Sequence, residues 1–197
     1  MNEAKKPTLD HPVHALVADR WSPSIWAERP VGPEDLRAVF EAARWAASAF
    51  NEQPWRYLVA TRDDAPGFER LLSCLVEANR KWAQQAPVLA LGVVSLNYRH
   101  NGKPNRTAAH DLGLASANLT VEATARGLAV HQMGGILPDR ARELYAIPEG
   151  FEAFTGLALG YAGEPAGEFA ARDLAPRTRL AQADFVFGGA FGQAFGG

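Results

Sequence analysis

The chain has 197 residues, room for one domain with its own core or for one that shares its core with a partner. Apolar residues make up 47% and charged residues 21%, which excludes wholesale disorder, and a formal net charge of -2 gives no electrostatic case for nucleic acid or an anionic membrane. The single cysteine, Cys74, excludes an intrachain disulfide, and no cluster of Cys and His has the spacing of a metal site.

In chain order, MNEAKKPTLDHPV carries no apolar signal region, and nothing downstream approaches the roughly 18 apolar residues of a membrane span. The expected compartment is therefore cytoplasmic, and residues 1–12 are expected to be flexible. Gly32-Pro33-Glu34-Asp35 starts a helix, with proline in the first turn and acids at the positive end of the dipole. Leu36, Val39, Phe40 and Ala43 follow at helical spacing and should face the core. Arg56 to Thr61 is rich in β-formers. A helix is predicted over Gly67 to Ala83, with Phe68, Leu71, Leu72, Leu75 and Val76 inward, and Cys74 then reads as a buried, inert thiol. Pro87 to Leu96 is a continuous apolar run, as in a central strand.

Thr107 to Ala125 is apolar or small almost all round, so that helix needs burial on most faces. Pro138 to Tyr145 reads as a short helix, and Thr155 to Tyr161 and Asp184 to Phe187 read as later strands. No internal repeat and no composition break marks a linker, so residues 1–197 form one domain. Regular βαβ alternation is missing, and no strand leads into a GxGxxG turn; the class is α+β, without a Rossmann nicotinamide site. The tail FVFGGAFGQAFGG combines large rings with glycine and needs a surface to pack on, for which a partner subunit is the natural candidate.

The most informative segment is RWAASAFNEQPW, Arg44 to Trp55. It leaves a helix through small residues and presents Asn51 and Gln53 before Pro54-Trp55 enters a strand. Carboxamides both donate and accept, which suits a ring edge carrying both kinds of group, and equally suits the pinning of a helix-to-strand turn. Arg177 and Arg179 read either as an anion site or as a solvated basic face; Arg20 reads as an anion ligand or as a surface partner of Asp19 or Glu28.

The segment resembles the FMN-dependent nitroreductase family, which usually reads W-x-P-S-x-x-N-x-Q-P-W here. Arg20-Trp21-Ser22-Pro23-Ser24 resembles that family's R-x-S-x-R, and Asn79-Arg80-Lys81-Trp82 with Ala86-Pro87 resembles its N-x-x-W…AP. His110-Asp111-Leu112-Gly113 resembles the opening of its central helix, and Gly127 to Gly135 the stretch that closes it. Arg177-Thr178-Arg179-Leu180, then Asp184 to Phe187, resembles its basic C-terminal element. Order and spacing together carry the resemblance through nearly the whole chain.

The resemblance implies a nitroreductase-like fold: a central, mostly antiparallel sheet flanked by helices, with residues from about 181 to 197 wrapping a partner subunit. It implies a homodimer with FMN at the interface, reduced by NAD(P)H and reoxidised by a nitroaromatic, a quinone or another electron-poor acceptor in ping-pong hydride transfer. Flavin storage without turnover, dehydrogenation and dehalogenation are the alternatives on the same fold. The implied cofactor ligands are Arg20, Trp21, Ser22, Ser24, Ser48, Asn51, Gln53, Asn79, Gly134, Gly135, Arg177 and Arg179. Arg20, Ser22, Arg177 and Arg179 suit the FMN phosphate through charge-assisted hydrogen bonds. Gly134 and Gly135 would bring backbone N–H groups to the flavin N5 edge, where a side chain would block the approach.

Two positions depart from the family pattern: Ser24 stands where a basic residue is usual, and Ala47 where proline is. No catalytic side chain is required, since the flavin carries the hard step. His110 and His131 lie where each can end a helix or donate a proton. Substrate contacts are expected from Phe50 and the basic loop Asn97 to Arg106, with Tyr98, Arg99, Lys103 and Arg106 as candidates.

Overall fold

Strand β2 (Val88–Ser95) runs through the middle of the molecule with every residue buried. Its pleat divides the apolar run between two cores. Leu89, Leu91 and Val93 join Leu71, Leu75, Trp82 and Met133 on one face of the sheet. Val88, Ala90 and Val94 join Val39, Ala43, Leu112, Ala115 and Leu119 on the other. A strand buried on both faces has to be apolar at consecutive positions, which is why the run shows no alternation.

The computed structural model describes residues 3–196. β1 (Trp55–Thr61) pairs with one edge of β2 and β4 (Phe151–Gly160) with the other, and β3 (Ala129–Met133) completes the order β1-β2-β4-β3, antiparallel throughout. Helices α1 (Ala15–Asp19), α2 (Pro33–Arg44), α3 (Ala65–Leu72), α4 (Glu77–Ala83), α5 (Ala108–Ala125), α6 (Pro138–Tyr145) and α7 (Ala170–Leu174) flank it. This is the α+β architecture the sequence predicts. α2 begins at Pro33, with Glu34 and Asp35 in its first turn, and packs Val39 and Ala43 against α5. α5 buries Leu112, Ala115, Leu119 and Ala123 while Gly113, Ala117 and Val121 stay exposed. No helix among the described residues is long and apolar enough to cross a membrane.

Four expectations are corrected. The helix over Gly67 to Ala83 is two helices, α3 and α4, parted at Ser73–Val76. There the backbone exchanges helical bonds for strand-like ones: Leu137 N–H donates to the Cys74 carbonyl (2.7 Å), Val76 N–H to that of Gly135 (3.1 Å), and Leu75 bridges Ile136. Tertiary pairing wins over local propensity, because no glycine or proline marks the break. Strand β3 fills a stretch read only as the close of a helix, and β4 begins at Phe151, four residues before the expected Thr155. Asp184 to Phe187 is not a strand: Gln182–Asp184 forms a 3-10 turn, and only Phe187 bridges, to Ala194.

Lys5 ties the N-terminal stretch to the end of α7. Its Nζ is buried and donates to the carbonyls of Arg172 (2.9 Å) and Ala175 (2.6 Å). At the other end of the chain the tail leaves Leu180, Phe185, Phe191 and Phe195 exposed, Phe191 at 95%.

Gly160, the last residue of β4, lies where Pro87 and Trp26 converge. A Cβ there would stand 2.5 Å from Pro87 Cδ and 3.2 Å from the Trp26 ring. Proline cannot swing aside, so Gly160→Ala should destabilise the fold by about 1–3 kcal/mol, read as a lower urea midpoint with an unchanged m value.

Candidate functional site

Cations gather where the two ends of the chain meet. Arg177 follows α7 and donates through Nη1 to the Arg20 carbonyl and through Nη2 to that of Ala18, both at 2.6 Å. Arg20 Nη1 lies 3.4 Å from Ser22 Oγ. Burial lowers the pKa of Arg20, and the neighbouring charges of Arg179 and Arg177 lower it further. Arg177 is lowered by burial and by Arg179, with Asp19 opposing. No carboxylate of the described residues makes an ion pair with Arg20, Arg177 or Arg179. Arg177 Nε is buried and has no hydrogen-bond partner among the described residues. Three guanidinium groups that repel one another are thus gathered here with a donor left over, the kind of charge and donor set that suits a multiply charged anion. Arg20 and Trp21 also line a cavity of about 730 Å³ that extends toward Tyr161–Pro165.

The loop carrying these groups is held by Asp173 of α7, which is 1% exposed. Its carboxylate accepts the N–H of Ser24 at 3.0 Å on each oxygen and that of Ile25 at 3.0 Å. Nothing in the sequence marks this role, since one acid in AARDLAP is indistinguishable from a surface charge. Ser24 itself is fully buried, and its hydroxyl has no partner among the described residues, so the residue standing in a usually basic position points into the protein.

His131 of β3 braces the same loop from the other side. Its ring stacks on Trp82 (centroids 4.1 Å apart, planes at 24°), Nδ1 sits 2.7 Å from the Pro23 carbonyl, and Nε2 sits 3.2 Å from Arg172 Nη2. A carbonyl accepts and a guanidinium donates, so the ring is the neutral tautomer protonated on Nδ1. Burial drives its pKa down to about 4, against the raising effect of the Pro23 bond. His131 is structural, and His110 is exposed on the first turn of α5.

Beyond β3 the chain turns through Gly134 and Gly135. Asn79 Nδ2 donates to the Gly135 carbonyl at 3.0 Å, and a Cβ on Gly135 would stand 2.5 Å from that nitrogen. A Cβ on Gly134 would meet nothing within 4 Å. The break between α3 and α4 thus lets Asn79 fix the turn at Gly135, while the space beside the preceding Gly134 holds no protein atom within 4 Å of a Cβ.

Ser48, Asn51 and Gln53 lie elsewhere, with the start of α5 and the 97–106 loop. Ala49 N–H donates to Asp111 (3.2 Å), Gln53 N–H to Ser48 Oγ (3.0 Å), and Gln53 Nε2 to the Asn51 carbonyl (3.1 Å). Phe50, Asn51 and Gln53 all have left-handed backbone, φ 55, 53 and 50°. At non-glycine residues this costs about 1–3 kcal/mol each and concentrates at functional segments. Glu52 between them is buried and holds Arg99, whose N–H (2.7 Å) and Nε (3.1 Å) donate to Oε1 while Nη2 reaches the Glu52 carbonyl (3.0 Å). Arg99 is therefore engaged within the protein, whereas Lys103 and Arg106 are exposed. No hydrogen bond joins the described side chains of Ser48, Asn51 or Gln53 to the arginine cluster.

The structure thus divides the expected cofactor ligands into two groups. Arg20, Trp21, Ser22, Ser24, Arg177 and Arg179 meet at the junction of the termini, with Asn79 and Gly135 on the nearby turn linked through β3 and His131. Ser48, Asn51 and Gln53 form a second group. The model for the nitroreductase family matches residues 17–161, and this chain belongs to that family. A solved structure described as an oxidoreductase containing FMN is 34% identical, with a TM-score of 0.88, covering 97% of this chain and 98% of that one. A 15.4 kDa protein of Mycolicibacterium smegmatis is 33% identical over 70% of this chain and 97% of its own length. The major NAD(P)H-flavin oxidoreductase of Aliivibrio fischeri is 24% identical over 90% of this chain and 99% of its own.

The His131 environment sets a pH dependence. Above the ordinary histidine value of 6.5 neither the folded nor the unfolded chain carries the proton, and the group contributes no slope. Between 6.5 and about 4 the unfolded chain takes up a proton that the folded protein refuses, so stability falls with pH. The full loss at the acid end is about 3 kcal/mol. Urea unfolding at pH 7 and pH 4.5 should show a smaller acid loss in His131→Gln than in the parent; equal losses would remove His131 as the source.

Proposed function

We propose that this chain is an FMN-dependent oxidoreductase that draws reducing equivalents from NAD(P)H and delivers them to nitroaromatics, quinones or other electron-poor acceptors. The observation that carries the reading is the cluster of Arg20, Arg177 and Arg179, with which no carboxylate of the described residues makes an ion pair, and which has a buried donor to spare. A terminal phosphate supplies the charge and acceptor oxygens this cluster lacks, so the residues present fit FMN. When bound, FMN would supply the hydride-transfer chemistry between a nicotinamide and an acceptor.

This chain's residues bind and orient. Arg20, Arg177, Arg179 and Ser22 hold the phosphate, and Asp173 and His131 keep their loop in place. Gly134 leaves the turn after β3 open for close approach of a ring, and Asn79 fixes that turn through Gly135. The carboxamides of Asn51 and Gln53 suit the donor-and-acceptor edge of the flavin pyrimidine. Their separation from the arginine cluster favours a homodimer in which one subunit supplies the phosphate site and the other supplies the Ser48–Gln53 segment. The exposed rings of the 181–196 tail favour the same assembly, as surface awaiting a second subunit.

The purified protein should be yellow, and NADPH or NADH should bleach it under anaerobic conditions, with colour returning on addition of a quinone. Arg177→Ala should weaken FMN binding about tenfold to a hundredfold, the loss of one or two charge-assisted hydrogen bonds. A colourless protein that cannot be reconstituted with FMN would overturn the proposal; a yellow protein that no nicotinamide bleaches would leave only a flavin carrier. Deletion after Leu180 should cost the dimer and the flavin together, as read by light scattering and flavin absorbance. A stable, flavin-loaded monomer would contradict the dimer.

A further inference from the structure

The cavity of about 730 Å³ beside the arginine cluster has walls of both signs. Arg20 lines it together with the acidic residues Asp19 and Glu164. Asp19 is half-buried and makes no ion pair with another described residue. A simple anion here would meet the carboxylates, and a simple cation would meet the guanidinium. Such walls suit a ligand that is anionic at one end and carries hydroxyl or amino donors further along. The volume falls within the roughly 300–1,000 Å³ of cavities that enclose small organic ligands.

The cavity also lies along the same strand as the proposed flavin site. β3 begins at Ala129, which lines the cavity, and passes His131, whose ring holds Pro23 of the arginine-bearing loop. It ends at Met133, just before the open position of Gly134. Five strand residues span about 16 Å. A flavin with its ring at Gly134 and its phosphate among Arg20, Arg177 and Arg179 would have that phosphate at the edge of the cavity, since Arg20 belongs to both. A group esterified to the phosphate would then enter the cavity. Tyr161 lines the same space and supplies an aromatic ring for a base, fixed by the Arg29 guanidinium 3.7 Å from its centroid.

We infer that this cavity is an adenosine subsite, and that the chain takes FAD as well as FMN: the diphosphate lies at the arginine cluster, the adenine beside Tyr161, and a hydroxyl of the adenosine ribose donates to Asp19. The inference rests on the proposed function and extends it to a second flavin nucleotide. A carboxylate is the acceptor by which dinucleotide sites hold an adenosine ribose hydroxyl. FMN ends at its phosphate and reaches none of these groups, so Asp19 and the cavity walls bear on one flavin and not on the other.

The flavin-free full chain, titrated by calorimetry with FMN and with FAD, should bind FAD within about tenfold of its FMN affinity. Asp19→Ala removes one hydrogen bond to a charged acceptor and should weaken FAD about tenfold. The same change takes a negative charge from beside Arg177, so FMN should bind as tightly as before or tighter. A general loss of structure would instead weaken both flavins together. Ala162→Trp, at an exposed position in the lining, should fill the cavity and exclude FAD while sparing FMN. FAD affinity unchanged in both variants would overturn the subsite and leave the proposed function standing. So would a chain that binds FMN but takes FAD more than about a hundredfold more weakly. A chain that binds both flavins with these variant effects, yet is bleached by no nicotinamide, would support the subsite and defeat the proposed function alone. Binding of neither flavin would overturn both.

Discussion

The carboxylate of Asp173 captures backbone N–H groups 149 residues earlier in the chain, and the site is organised around that capture. Ser24 and Ile25 are fixed by it, Pro23 is fixed beside them by His131, and Arg20 and Ser22 are carried along on the same loop. Arg177, a few residues beyond Asp173, then reaches back to the Ala18 and Arg20 carbonyls. A buried acid satisfied by several backbone donors is costly to move. The cations are consequently placed by a framework that does not depend on their own mutual attraction, which for like charges does not exist.

The sheet performs the corresponding task for the rest of the molecule. Because β2 is buried on both faces, the two cores share one strand, and α2 and α5 on one side are indexed to α3 and α4 on the other. That common reference lets the turn after β3 meet Asn79 with a single hydrogen bond of normal length.

The fold class, α2, β1, β2, α5 and α6 were legible because their signals are local: periodicity, a proline in a first turn, an uninterrupted apolar run. The break between α3 and α4 was not, since its cause is pairing with residues 135–137, remote in sequence and unmarked by any breaker. β3 was hidden for a similar reason, being short and bounded by glycines that suggest a loop. At the site, Arg20, Arg177 and Arg179 were legible as residue types in a familiar order, yet their meeting in space rests on Asp173, which carries no sequence signature. Ser24 stood out in the sequence for lacking charge; the structure shows a side chain turned inward. Arg99 stood out as a cation in the 97–106 loop, and Glu52, an unmarked position between two carboxamides, explains why it is not a free one.

The crowding of Arg20, Arg177 and Arg179 also bears on how the protein comes to be loaded. Self-repulsion without an anion raises the free energy of the folded chain, and anything that binds the folded state but not the unfolded one lowers it, by about 2.7 kcal/mol at a concentration a hundredfold above Kd. Folding and loading are then one linked equilibrium. Under the proposed function, a chain short of FMN would be the less stable and more protease-sensitive one.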